Sequence, residues 1–159
     1  MTTPRTRSSA AASLMLFALL SATLVAPTAD AVTRRAPQPT SDELAKHMLA
    51  LVNRSRASHG LPLLRMNKRL SREALRHSRQ MARKGAITHT PNLAELVRSV
   101  GGSVFGEDLG KGRGLRGIRD AWMRRADTRR IMLDARFVHV GLGVVHADGF
   151  YWVTLQVFD

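Results

Sequence analysis

The chain has 159 residues, 44% of them apolar and 23% charged, which suits one globular domain with a modest core and not a disordered tail. It contains no cysteine, and this excludes a disulfide framework, a thiol nucleophile and a thiolate metal site. The formal charge of +13 is carried almost wholly by arginine, since Lys46, Lys68, Lys84 and Lys111 are the only lysines among 25 basic residues. Such a bias fits GC-rich coding and ordinary solubility, or attraction to an anionic lipid, cell-wall polymer or nucleic acid.

Residues 1–31 have the layout of an export signal. Arg5 and Arg7 precede an apolar run from Ala10 to Ala26, and Ala29-Asp30-Ala31 follows as a small-residue cleavage site. Cleavage there leaves a chain beginning near Val32 and, with two arginines and one aspartate removed, a charge of +12. An uncleaved anchor is the other reading, although the run is short against the ~20 residues of a spanning helix. No later segment is apolar enough to cross a bilayer, so the product is expected to be secreted or held at the outer face of the cell envelope. Residues 32–40 (VTRRAPQPT) form a linker with two prolines, and a single domain is expected over 41–159.

Thr40-Ser41-Asp42-Glu43 fits a capping box, in which the threonine hydroxyl and Glu43 satisfy free amides of a first helical turn. Leu44, Met48, Leu51, Val52 and Ser55 then keep helical spacing until Gly60. A second helix opens at Asn67, with Leu70, Ala74, His77, Ser78 and Met81 on its inner face and Gly85 beyond its end. Its outer face carries Arg72, Arg76, Arg79 and Arg83, either a solvated stripe or a polyanion contact; His77 reads as a core histidine. Thr90 as cap and Pro91 at the first helical position announce a short helix through Leu93, Leu96 and Val97 to Gly101-Gly102.

A short strand is expected from Val104 to Leu109, and a fourth helix from Leu115 to Met123 with Ile118, Ala121 and Trp122 turned inward. Val138 to His146 and Phe150 to Phe158 are β-rich runs joined at Asp148-Gly149, a strong hairpin signal. In the second run Phe150, Trp152 and Phe158 alternate with Tyr151, Val153, Leu155 and Val157, so both faces of the sheet must be covered. The expected fold is α+β: a three-layer α-β-α sandwich with the C-terminal β-hairpin in the central sheet.

His89, in ITHT, and Glu107, in FGEDLG, are the imidazole and carboxylate from which metal or acid/base sites start, a weak signal by itself. Their setting is more specific. LVNRSRASHGLPLLRMNKRLSREALRHSRQMARKGAITHT, then GEDLG, then AWMRRADTRRIMLDARFVHVGLGVV and YWVTLQVF, resemble the bacterial branch of the CAP superfamily over about Ser41 to Asp159. That superfamily, also called SCP-like, unites cysteine-rich secretory proteins, antigen 5 and pathogenesis-related 1 proteins.

The resemblance implies an α-β-α sandwich whose cleft, in many members, is lined by two histidines and one or two glutamates able to hold a divalent metal. His89 matches the first histidine, and Glu107 the glutamate of a Gly-Glu-Asn motif in which Asp108 here replaces the asparagine. The second histidine opens a His-Arg-Ala-Asn-Ile-Leu run, and here Thr128 stands in its place. The second glutamate of eukaryotic members corresponds to about Arg125. A hydroxyl is a poor zinc ligand, catalytic zinc generally takes three protein ligands, and any of Arg124, Arg125, Arg129 or Arg130 reaching the cleft would oppose a dication. Zinc is therefore not expected as a cofactor; His139 or His146 is the candidate replacement for the absent ligand. Nothing around Thr128 announces the base and oxyanion hole that a threonine nucleophile needs, and Asp127 reads as a cap of the helix after it.

The expected function is a secreted, monomeric, non-catalytic binding module for a lipid or anionic envelope polymer, with Arg72, Arg76, Arg79 and Arg83 as its basic stripe. The alternative is a metal-dependent hydrolase acting on peptide or cell-wall bonds. Nucleic acid is not an expected partner, because aromatic residues are 5% of the chain and most lie in strands covered on both faces.

Overall fold

The computed structural model of the protein describes residues 38–159. The expected export signal at 1–31, its cleavage site and residues 32–37 of the linker lie outside the described residues. The first helix, α1 (Ser41–Ser58), starts with the expected capping box: Glu43 N–H donates to Thr40 Oγ1 at 3.2 Å, and Thr40 N–H donates to Glu43 Oε2 at 2.7 Å. A two-residue strand, β1 (Arg65–Met66), leads to α2 (Lys68–Lys84), which Asn67 caps at its N-terminus and Gly85 ends in the left-handed conformation. All five residues expected on its inner face are buried. There follow α3 (Leu93–Arg98), β2 (Phe105–Gly112), α4 (Leu115–Arg124), α5 (Ala126–Met132), β3 (His139–Ala147) and β4 (Phe150–Phe158).

The four strands form one sheet in the order β1-β3-β4-β2, with β1 parallel to β3 and the other pairs antiparallel. Asp148 and Gly149 both take positive φ, 51° and 75°, as a two-residue type I′ turn demands. Side chains alternate along β4. Val153, Leu155 and Val157 join a core with α1, α4 and α5, and Phe158 packs on Leu70 of α2 and Val97 of α3. Ser78 of α2 donates to Thr154 on that second face at 2.8 Å. The architecture is the expected three-layer sandwich. Its tightest approach is at Gly143, where a Cβ would overlap the backbone of Ala74 and Leu75, so α2 lies directly on β3.

Three local expectations need correction. Thr90 and Pro91 do not open α3; Asn92 does, with φ 56° and no side-chain cap. The Thr90 hydroxyl is engaged elsewhere, accepting from Gln156 Nε2 at 2.9 Å. Asp127 is not a helix cap either: α5 begins at Ala126, and the Asp127 carboxylate is paired with Arg125 at 2.9 Å. Ala121 is half-buried, the inner face of α4 being Leu115, Ile118 and Trp122.

Arg56, near the end of α1, is the least expected residue of the core, with no exposed surface. Its guanidinium donates to four main-chain carbonyls: Nε to Pro62 at 2.8 Å, Nη1 to Met132 and Asp134 at 2.9 and 3.0 Å, and Nη2 to Phe137 at 3.0 Å. Burial pushes its pKa down and the nearby Asp134 carboxylate opposes that shift. One planar fork thus ties the end of α1 to the end of α5 and to the chain entering β3.

Candidate functional site

The site is assembled by three devices. Gly85, at φ 68°, reverses the chain after α2, and His77 Nε2 contacts Thr88 O at 2.6 Å, fixing the returning loop one residue before His89. Thr90 N–H then donates to Glu107 Oε1 at 2.9 Å. Finally, the β2–β4 register sets Gln156 opposite Glu107, on the same face of the sheet. His89 is thereby held with Nδ1 2.7 Å from Glu107 Oε1, and Gln156 Nε2 donates to Glu107 Oε2 at 3.0 Å.

The dyad is strongly asymmetric: the His89 side chain is 79% exposed and that of Glu107 3%. Burial pushes the Glu107 pKa up, but hydrogen bonds from the Thr90 hydroxyl, the Gln156 amide, the Thr90 N–H and His89 outweigh it and hold the carboxyl below its ordinary value. An ionised carboxylate only accepts, so Nδ1 of His89 is the donor in this contact, and Nε2 is the ring nitrogen that the contact leaves uncommitted. Around the dyad lies an open, largely apolar cleft of about 370 Å³, walled by Leu93, Phe105 and Ile131. Gly106 lets α5 close on β2 there, since a Cβ would stand 2.9 Å from Ile131.

The residues expected to share this cleft are not all brought together. His89 and Glu107 are. Thr128 lies on α5, where its hydroxyl donates to Trp122 O at 2.7 Å and brackets the break between α4 and α5 at Arg125. Among the described residues no hydrogen bond joins Thr128 to the dyad. Arg124, Arg125, Arg129 and Arg130 are exposed and do not line the cleft. His139 stacks on Phe158 with ring centroids 5.0 Å apart, and His146 on Tyr151 at 4.5 Å. Arg72, Arg76, Arg79 and Arg83 are exposed along α2, with Arg76 paired to Glu73.

Zinc, the metal that the dyad's composition brings to mind, does not fit this donor set. Glu107 accepts from three partners through its two oxygens, and His89 offers one free nitrogen. Among the described residues no three histidine or acidic side chains are grouped to hold a metal. Two residues of the site, Thr90 and Gln156, are absent from the sequence-derived set. The polar Gln156 in the apolar run YWVTLQVF was the available signal, but its partner depends on a β2–β4 register that no local pattern reveals.

Glu107→Gln is expected to destabilise the fold by about 2 kcal/mol, because a carboxamide turns a donor toward the Thr90 N–H or the Gln156 amide. A pH series checks the same group. With its folded pKa below the unfolded value, Glu107 adds stability that is present above the ordinary glutamate range and lost as pH falls through the folded value. Denaturant melts of the variant should lack that acid-side loss.

A model of the cysteine-rich secretory protein family, CAP, matches residues 49–158. YkwD of Bacillus subtilis (strain 168) is 30% identical over 127 residues, covering 76% of this chain; the chain spans about half of YkwD, 49% of its length. An outer surface protein from Borrelia burgdorferi superposes with a TM-score of 0.68 at 15% identity, over 77% of this chain and 97% of that one. An extracellular protein containing an SCP domain from Bacillus anthracis str. Ames gives 0.58 at 25% identity, over 77% and 45% of the two chains.

Proposed function

The chain belongs to the cysteine-rich secretory protein (CAP) family, and from that premise we propose that it is an exported, metal-independent binding module whose basic surface engages an anionic component of the cell envelope. The observation that carries this reading is the outer face of α2. Arg72, Arg76, Arg79 and Arg83 are all exposed there, and among the described residues only Arg76 of the four has an ion-pair partner. Unpaired guanidinium groups in one row favour polyanions, with strength set by ionic strength. Export is supported by the 1–31 segment of the sequence and by the extracellular description of the Bacillus anthracis relative.

The hydrolase alternative draws on the exposed His89 imidazole held by Glu107, an arrangement of the kind that general acid–base catalysis uses. Against it, the Thr128 hydroxyl is committed to Trp122 O, and among the described residues no serine or threonine hydroxyl is hydrogen-bonded to His89. The cleft is better read as the apolar end of a binding surface.

Co-sedimentation with vesicles rich in anionic phospholipid tests the proposal. Binding is expected at low salt and should fall steeply as salt rises. Replacing Arg72, Arg79 and Arg83 by glutamine is expected to weaken it roughly 100-fold, at about 1 kcal/mol for each cation near the surface. Binding indifferent to salt, or unchanged in the triple variant, would overturn it.

A further inference from the structure

β2 is an edge strand of eight residues, paired with β4 on one side and with no strand on the other. Hydrogen-bonding parity decides which of its main-chain groups are spent. Asp159 N–H donates to Val104 O at 3.3 Å, and Val138 N–H donates to Phe158 O at 2.9 Å on the opposite side of β4. Main-chain groups of β4 therefore turn toward β2 at Val157, Leu155 and Val153, and the register gives their bonds to Gly106, Asp108 and Gly110. Phe105, Glu107, Leu109 and Lys111 turn their N–H and C=O groups outward. Trp122 Nε1 donates to Leu109 O at 2.8 Å, as that parity requires, and covers the edge there. Nothing covers the start of the strand in this way. Among the described residues, the main-chain N–H and C=O groups of Phe105 and Glu107 have no hydrogen-bond partner.

Proteins ordinarily blunt a sheet edge with charge, proline or cover, because an open edge pairs with other chains. In β2 the later half has Trp122 and Lys111, and the first half has neither. The cleft beside the dyad wraps this bare stretch, with Leu93 on the α2 side of the sheet and Ile131 on the α5 side. We propose that the start of β2 takes a partner strand: an extended, acidic segment of another protein lies along Phe105–Glu107, exchanges main-chain hydrogen bonds with it, and sends alternate side chains against Leu93 and Ile131. Main-chain pairing supplies affinity in such an addition, and the flanking side chains supply preference. The sign comes from the surroundings. Arg129 and Arg130 on α5 and Lys111 on β2 are exposed, and none has an ion-pair partner among the described residues. A second copy of a chain of charge +13 would set like charges against each other along the same edge. The site is independent of the α2 attraction proposed above, which needs no sheet edge.

Fluorescence anisotropy with a labelled, C-terminally amidated peptide Glu-Val-Thr-Val-Thr-Glu is the test, its alternating β-branched residues favouring an extended chain. Saturable binding is expected, and Lys-Val-Thr-Val-Thr-Lys should bind at least about tenfold more weakly at low salt. Methylating one alternate set of peptide amides should abolish binding, and methylating the other set should change it by no more than about twofold, because only one set faces β2. Phe105 stands first in an edge strand, where proline is tolerated. Phe105→Pro removes an outward N–H that Phe105→Ala keeps, so the proline variant should bind at least about tenfold more weakly than the alanine variant. Both should bind anionic vesicles as the parent does, which separates failure of this reading from failure of the α2 one. In the parent protein, amide exchange at Phe105 and Glu107 should slow about tenfold or more on saturation with peptide, a readout that needs no variant. No binding up to roughly 1 mM peptide, equal loss from either set of methyl groups, or unchanged exchange at both amides would overturn the proposal. So would a dimer that forms without peptide and is broken by Phe105→Pro, since the edge would then belong to a second copy.

Discussion

Arg56→Ala is expected to cost on the order of 5 kcal/mol, a fall in thermal midpoint of roughly 15–25 °C for a domain of this size. The side chain has no exposed surface and donates to four carbonyls at 2.8–3.0 Å. Its removal leaves a cavity and strips the donor from four carbonyls, those of Met132 and Phe137 in fully buried bonds, and each uncompensated buried group costs about 1–3 kcal/mol. Arg56→Lys keeps the charge but not the planar fork, so about half the loss should remain. Thermal melts of the two variants give the check. An Arg56→Ala protein as stable as its parent would show that the four bonds hold nothing together.

Asp108→Asn is expected to act in the opposite direction, stabilising the protein at alkaline pH. Asp108 is 1% exposed, and neither of its oxygens has a hydrogen-bond partner among the described residues. Burial, with the negative charges of Asp127 and Glu107, pushes its pKa from 3.8 up to about 8. The sign follows from proton counting. Between these values the folded chain holds a proton that the unfolded chain has lost, so stability is greatest below the unfolded value and drains away as pH rises through the folded one. At about 1.4 kcal/mol per unit, the whole interval amounts to several kcal/mol. The asparagine variant should match its parent near pH 3 and exceed it increasingly up to about pH 8. Equal stability of the two proteins at pH 9 would refute the account.

Much of this fold is written in short-range pattern. The Thr40 capping box, the Asn67 cap, the Gly85 stop and the Asp148-Gly149 turn each act through neighbouring residues, and each is found where its chemistry places it. Failures came where long-range contacts outbid local ones. Thr90 has the residue type of a cap and stands before a proline, yet Glu107 and Gln156 claim its amide and hydroxyl. Half of the site was legible in the same way. His89 and Glu107 come from a motif, while Gln156 and the loop-holding role of His77 come from strand register and helix packing. Arg56 looks like any surface arginine in RSRAS, because its acceptors lie up to 81 positions away.

The order β1-β3-β4-β2 has a consequence for how the molecule matures. β4, the latest strand in chain order, fills the middle of the sheet, and Arg56 finds most of its acceptors only beyond residue 131. A ribosome must therefore deliver nearly the whole domain before any cooperative tertiary structure closes. Were the chain exported as proposed, through a pore that admits extended polypeptides, such postponement would be an asset. The nascent protein stays slack until the strand that completes it arrives.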